Sequence, residues 1–138
     1  MADLHRAVRF YEAALGFQCA WSDDHHAMLS LAHSPGPAIE VLLVETADDA
    51  RLSFRSSHTG LHHGVLDFHT SDLSRLPTHL RSIGTEVHDV APAVNEWAPS
   101  GFGFFDSEGN RLAAFSYGPH AFFVTVGPRP LTLAVQKI

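Results

Sequence analysis

Residues 101–115 read GFGFFDSEGNRLAAF and consist of two apolar runs separated by a polar turn. The first run covers 102–105 and the second covers 111–115. The residues between them, 106–110, are turn formers, and Gly109 can adopt a positive φ without steric cost. This pattern predicts two paired strands joined by a tight turn. The hairpin supplies a register against which the rest of the chain can be placed.

The composition is that of one soluble globular domain of 138 residues, with 45% hydrophobic and 17% charged residues. No apolar run approaches the roughly 20 residues that span a bilayer, and the first ten residues lack the apolar region of a signal peptide. We therefore expect no membrane partner. The net charge of −6 argues against nucleic acid as a partner and favours a neutral or cationic ligand. Cys19 is the only cysteine, which indicates a reducing, cytoplasmic setting.

The first half of the chain reads as a helix followed by three strands. Asp3 is a suitable N-cap, apolar residues recur at helical spacing after it, and Gly16 is a suitable stop. Polar and Pro/Gly breaks then delimit strands at 17–21, 27–32 and 38–44.

The second half repeats this order faintly. A strand at 63–69 precedes a second helix, which begins at Asp72 or Ser74 and ends before Gly84. A strand at 86–90 and the two strands of the hairpin follow. The first copy lacks the strand that precedes the helix in the second copy.

The missing strand is predicted at the other end of the sequence. Residues 131–136 alternate between apolar and polar side chains, which is the period of a half-buried strand. We therefore predict a circularly permuted order in which this strand serves module 1 (3–45 plus 130–136), with module 2 at 61–116. The polar segment 45–60 is the candidate linker. The alternative is that the last strand is an unrelated edge strand.

Two motifs carry a resemblance to a known family. Residues 3–17, with the pattern DLxRAxxFYxxxLGF, resemble the first helix of the vicinal oxygen chelate superfamily, and residues 103–112 resemble its last two strands. The superfamily includes glyoxalases, extradiol dioxygenases, fosfomycin-inactivating enzymes and bleomycin-resistance proteins. The resemblance implies an α+β fold in which two βαβββ modules form curled mixed sheets around a cleft, usually in a homodimer.

The resemblance also implies where a metal ion would be held. The family's ligand positions on the first and last strands of module 2 fall on Val65 and Ala113, and one position in module 1 falls on Ala134. Only Glu40 retains a side chain that can bind a metal. Because catalytic metal sites use about three protein ligands, we expect no metal cofactor.

The eleven histidines favour the opposite expectation, a relocated divalent metal site. Strand alternation in 63–69 directs four side chains toward the cleft: His63, Val65, Asp67 and His69. Glu40, His63 and Asp67 could then coordinate zinc or non-haem iron.

Other residues are candidates for binding or catalysis. Asp67 and His69 could form a general acid/base pair, or they could simply be polar groups on a solvated strand edge. Trp97 and Phe115 could stack on a flat ligand, or they could belong to the core. Arg111 could line the rim of the cleft or cap the hairpin. The complete candidate ligand-binding set is Glu40, His63, Val65, Asp67, His69, Trp97, Phe105, Arg111, Ala113 and Phe115.

Two function classes follow from these observations. The first is a metal-independent binding protein that sequesters an aromatic or cationic small molecule, similar to bleomycin-resistance proteins. The second is a glyoxalase-like lyase or isomerase, or a dioxygenase, that uses a metal held by non-standard His/Glu ligands. The lost ligand positions favour the first class, and the abundance of histidine favours the second.

Overall fold

The computed structural model describes residues 3–31, 38–93, 95 and 98–117, and this part of the chain is an α+β structure with two helices and three small sheets. The helices are α1 (Leu4–Leu15) and α2 (Arg75–Ser82). The strands are β1 (Gln18–Ser22), β2 (His26–Leu31), β3 (Ile39–Val44), β4 (Phe54–Arg55), β5 (His62–His63), β6 (Leu66–His69), β7 (Ser100–Phe105) and β8 (Arg111–Ser116). Neither described helix has the length and apolar character needed to cross a membrane.

Helix α1 begins and ends where the sequence predicts. The Asp3 side chain accepts a hydrogen bond from the Arg6 backbone N–H at 2.9 Å, and Gly16 ends the helix in the left-handed conformation at φ 74°. One stripe of the helix is buried, as the helical spacing requires, and consists of Leu4, Ala7, Tyr11 and Ala14. The stripe forms one side of the hydrophobic core.

The three strands after α1 form an antiparallel sheet in the order β1-β2-β3. The predicted strands are confirmed to within one residue at each described end; Ala32 lies outside the described residues. Ala27, Leu29 and Leu43 are buried in the core beneath this sheet.

The hairpin at 101–115 is confirmed as β7 and β8. Its turn is held by Asp106, whose side chain accepts from the backbone N–H groups of Glu108 and Asn110 at 2.9 and 2.8 Å, and Gly109 has a φ of 80°. Strand β6 pairs with β8 in parallel, so the sheet order is β6-β8-β7.

Helix α2 begins after Ser74, but Asp72 supplies the capping side chain. The Asp72 carboxylate accepts from the backbone N–H groups of Ser74 and Arg75 at 3.0 and 2.8 Å. Gly84 follows the helix at φ 83°, as predicted.

The predicted strand at 63–69 is wrong at its beginning. The chain divides at Gly64 into β5, which pairs with β4 in a separate two-stranded sheet, and β6, which begins at Leu66. At Gly64 the backbone lies so close to the Arg111 carbonyl that a Cβ atom would collide with it. The predicted linker 45–60 contains the two-residue strand β4.

The predicted strand at 86–90 is not continuous. Two isolated bridges join it to β7, one between Val87 and Phe104 and the other between Ala91 and Gly101. The register shifts by one residue between these bridges, which interrupts the ladder as a β-bulge does. The segment nevertheless runs along β7 and places His88 beside it, through a hydrogen bond from the His88 N–H to the Gly103 carbonyl at 2.9 Å.

The hairpin turn is joined to the start of α1 by a buried carboxylate. Glu108 accepts hydrogen bonds from the Asp3 backbone N–H at 3.1 Å and from Arg6 Nε and Nη2 at 2.7 and 2.9 Å. The Tyr11 hydroxyl donates to Asp106 at 3.3 Å in the same turn. These contacts connect positions about 100 residues apart in sequence, so they fix α1 against the hairpin of β7 and β8.

We predict that Glu108→Gln lowers the free energy of unfolding by about 2 kcal/mol at neutral pH, because it weakens hydrogen bonds between charged groups. The Arg6 hydrogen bond lowers the pKa of Glu108. The stabilisation should therefore be complete above the ordinary pKa of 4.5 and should disappear as the pH falls through the lowered value. Urea unfolding of the wild type and the variant across this pH range measures the difference. The exposed Glu86→Gln is the matched control, and an equal effect in both variants would contradict the prediction.

The edge of β3 is open within the described residues. In the second sheet, β6 lies in parallel beside the last strand β8, whereas no described strand lies in the equivalent place beside β3. A cavity of about 230 Å³ lies close to this edge and is lined by Leu31, Ile39 and residues of α1 and β6. The predicted last strand, 131–136, lies outside the described residues, and its pairing with β3 remains a prediction.

Deletion of residues 130–138 should therefore lower the melting temperature and the cooperativity of unfolding, because an open sheet edge and apolar core surface would be exposed. Leu133→Asp should reproduce much of the loss, whereas Thr132→Asp, on the other face of the predicted strand, should have less effect. Calorimetric melting of the three proteins tests this. A truncated protein that melts like the full chain would show that the segment is not part of the fold.

Candidate functional site

A cleft of about 780 Å³ lies on the face of the β6-β8-β7 sheet that is turned away from the core. Strand alternation buries Phe102, Phe104, Leu112 and Ala114 and leaves their neighbours on the cleft face. Asp67 is paired in register with Ala113, and Ala113 is paired with Gly103. These three residues, which we call the floor row, cross the middle of the cleft.

The side chains of the floor row occupy little of the cleft, because Ala113 has only a methyl group and Gly103 has no side chain. A Cβ atom at Gly103 would lie 3.4 Å from Arg111 Nη2 and 3.6 Å from His88 Nδ1, so these two groups pack directly over the glycine. Glycine is required at position 101 for a different reason, because a Cβ atom there would collide with the Ala114 carbonyl oxygen at 2.6 Å. The floor therefore offers a shallow surface on which a flat molecule can lie.

Asp67 carries the carboxylate of the floor row. Its partial burial raises the pKa of the carboxyl group above the ordinary value, and the nearby His63 acts in the opposite direction. His63 itself stacks on Phe54 with ring centroids 5.4 Å apart. Asp67 and His63 thus share one wall of the cleft.

One end of the cleft is aromatic. His69 lies 5.7 Å from Phe115 and 6.4 Å from Tyr117 between ring centroids, and Phe115 lies 5.4 Å from Tyr117. No hydrogen bond joins His69 to Asp67, although both residues are described. The predicted acid/base pair therefore remains a prediction, with His69 packed against aromatic rings.

The other end of the cleft is basic. Arg111 and His88 line it together, and Phe105 lies beside both of them. His88 was not selected from the sequence. In the predicted strand 86–90 the apolar Val87 would face the core, so alternation would have placed His88 on the opposite face. Tyr117, His62 and Asp89 also line the cleft without having been selected.

Four described candidates do not line this cleft: Glu40, Val65, His69 and Phe105. His69 lines the cavity of about 230 Å³ near β3 instead, and Phe105 lies beside Arg111 and His88. Glu40 is exposed on β3, in the other sheet, where it is paired with Ser30 and does not line this cleft. Val65 is half-buried just before β6. Trp97 lies outside the described residues.

The sequence profile of the glyoxalase/bleomycin resistance protein/dioxygenase superfamily matches residues 1–114. The chain belongs to this superfamily. No protein with a curated description matches the chain.

Solved structures of the superfamily fold confirm the architecture. An integron cassette protein from the mobile metagenome of the Halifax Harbour sewage outfall has a TM-score of 0.62 and 24% identity, covering 84% of this chain and 90% of its own. The fosfomycin resistance protein FosX from Listeria monocytogenes has a TM-score of 0.66 and 12% identity, covering 86% and 88%. A glyoxylase/bleomycin resistance protein/dioxygenase domain from a Frankia species has a TM-score of 0.58 and 17% identity, covering 86% and 91%.

The superfamily includes metal-binding proteins, since FosX has been solved with Mn(II). Among the described residues, the positions at which the resemblance places ligands do not fit such an ion. Val65 and Ala113, at the positions where the resemblance places ligands, have no donor atoms, and Glu40 lies in the other sheet. Within the described ranges no three His, Cys, Asp or Glu side chains are grouped to hold a metal.

We predict that the untagged protein, purified without added metal, contains well under one equivalent of zinc, iron, nickel or manganese. The physical reason is the lack of a third donor beside His63 and Asp67. Elemental analysis measures the content, with His63→Ala and Asp67→Ala as companion variants. Near-stoichiometric metal in the wild type that is lost in either variant would establish a relocated site.

Proposed function

We propose that this protein binds a flat aromatic small molecule in the cleft without using a metal ion. The observation that carries the proposal is the floor row, in which Ala113 and Gly103 leave an open surface between aromatic rings at one end and polar groups at the other. Binding sites for small molecules combine such apolar surfaces with a few polar groups that fix orientation. The volume of about 780 Å³ is in the range of ligand pockets.

The affinity would come mainly from the aromatic end of the cleft. Phe115 and Tyr117 are partly exposed there and stand edge to face, at an interplanar angle of 86°. A flat ligand over Ala113 would cover the Phe115 ring and remove apolar surface from water. Aromatic contacts of this kind contribute about 1 kcal/mol beyond the area that they bury.

Asp67 would select for a cationic group on the ligand. Its carboxylate is half-buried, and removal from water disfavours its charged form, as the raised pKa indicates. A cationic ligand group beside Asp67 would stabilise the carboxylate and offset this cost. The proposed ligand is therefore aromatic and carries a positive charge.

The competing proposal is a metal-dependent lyase, isomerase or dioxygenase. The observation that favours it is that His63 and Asp67, two potential ligands, lie close enough on one wall for His63 to influence the Asp67 pKa. Turnover distinguishes the two classes, because a binding protein returns its ligand unchanged.

We predict that naphthylmethylammonium binds saturably at one site per chain and that Asp67→Asn weakens this binding about tenfold, which corresponds to about 1.4 kcal/mol. Asp49→Asn, an exposed carboxylate outside the cleft, is the charge-matched control. Phe115→Ala should also weaken binding. Isothermal titration calorimetry gives the affinities of the wild type and the three variants, and chromatography of the mixture should return the ligand intact.

Binding of this cation should also weaken as the pH falls. Because the pKa of Asp67 is raised, the loss should begin at a higher pH than the ordinary value of 3.8 would give. Asp67→Asn should remove this dependence. Conversion of a catechol or of an α-keto thiohemiacetal by the metal-free protein would contradict the proposal.

A further inference from the structure

Arg111 is a cation in the cleft without a carboxylate partner among the described residues. Its Nη2 atom lies 3.5 Å from His88 Nδ1, and its guanidinium carbon lies 6.0 Å from the centre of the Phe105 ring. Glu108, on the same hairpin, is instead paired with Arg6. Asp89 lies near Arg81 at 3.7 Å. The guanidinium group therefore retains donors that the described protein atoms do not use.

The position of Arg111 is set by the strands around it. Phe105 is its partner across the hairpin, so the ring lies directly beside the arginine side chain. The same ring contacts His88 edge to face at 5.7 Å. A backbone hydrogen bond from His88 to Gly103 fixes the histidine on the other side of the floor row.

Arg111 and His88 can both act as donors to a ligand. A guanidinium group only donates, so His88 Nδ1 accepts in this contact when the ring carries a single proton on Nε2. Both groups lie over Gly103, because a Cβ atom there would be at van der Waals distance from Arg111 and His88. Two donors and one positive charge on the same face of the sheet are the features that a carboxylate requires.

We propose that Arg111 and His88 form a subsite for a carboxylate on the aromatic ligand. This inference rests on the proposed function, because the carboxylate belongs to the molecule whose ring lies over Ala113 and Phe115. Arg111 and Phe115 are four residues apart on one face of β8, which corresponds to about 13 Å. The ligand class is thus an aromatic acid that also carries a cationic group, with its carboxylate at Arg111 and the cation at Asp67.

The experiment compares two probes of the same ring system, naphthoate and naphthylmethylammonium, by calorimetry at constant ionic strength. Arg111→Gln should weaken the binding of naphthoate about tenfold, the scale of one lost charged hydrogen bond, and should not weaken the binding of naphthylmethylammonium. Arg111→Lys should reduce the affinity for naphthoate less than Arg111→Gln does, because lysine keeps the positive charge although it lacks the planar pair of donors. Arg9→Gln, on the exposed side of α1, removes the same charge far from the cleft and should change neither affinity.

The outcomes separate the two proposals. The carboxylate subsite alone would be overturned if Arg111→Gln did not change the affinity for naphthoate while Asp67→Asn still weakened the binding of naphthylmethylammonium. Equal losses in Arg111→Gln and Arg9→Gln would also overturn it, because they would show a general effect of net charge. Failure of both probes to bind the wild type would contradict the subsite and the proposed function together. Retained binding of the cation by Arg111→Gln shows that this variant is folded.

Discussion

The buried carboxylate of Glu108 is the contact on which the arrangement of the two modules depends. A carboxylate removed from water is costly unless hydrogen bonds replace its hydration, and here the first turn of α1 supplies those bonds through Arg6 and the Asp3 backbone. The hairpin turn can therefore be buried only where the beginning of α1 meets it. Tyr11 and Asp106 add a second buried contact between the same two elements. The fold thus uses one polar cluster to bring together residues from opposite ends of the described chain.

That constraint also determines which side chains form the cleft. Side chains alternate between the two faces of a strand, so a shift of one residue in β8 would exchange Leu112 and Ala114 for Arg111 and Ala113. The contacts of Glu108 hold the turn against α1, and the Asp106 side chain holds the turn that joins β7 and β8 in register. The floor row and the basic end of the cleft depend on this register.

The sequence predicts the elements whose signals are local. The limits of α1 follow from Asp3 and Gly16, and the hairpin follows from its turn residues, because each of these residues acts within a few positions of itself. The direction of Asp67 toward the cleft follows from alternation alone. The division of the predicted strand at Gly64 could not be predicted, because the Gly64 backbone lies against the backbone of Arg111, which is far away in the sequence. His88 was missed because the strand at 86–90 was predicted without a register against β7, so the face on which His88 lies was not assigned.

The cleft contains charged side chains that can bind a ligand although Val65 and Ala113 lack metal-binding side chains. A metal site concentrates positive charge at one point, held by ligands on neighbouring strands. Here Ala113 is neutral, while Asp67 stands beside it on β6 and Arg111 precedes it by two residues on the same face of β8. The ion pairs within the described residues do not include one between Asp67 and Arg111. Each charge is therefore available to a ligand group of opposite sign. The same fold can thus present two separate charged side chains, Asp67 and Arg111, in the cleft where the resemblance to the superfamily places a metal ion.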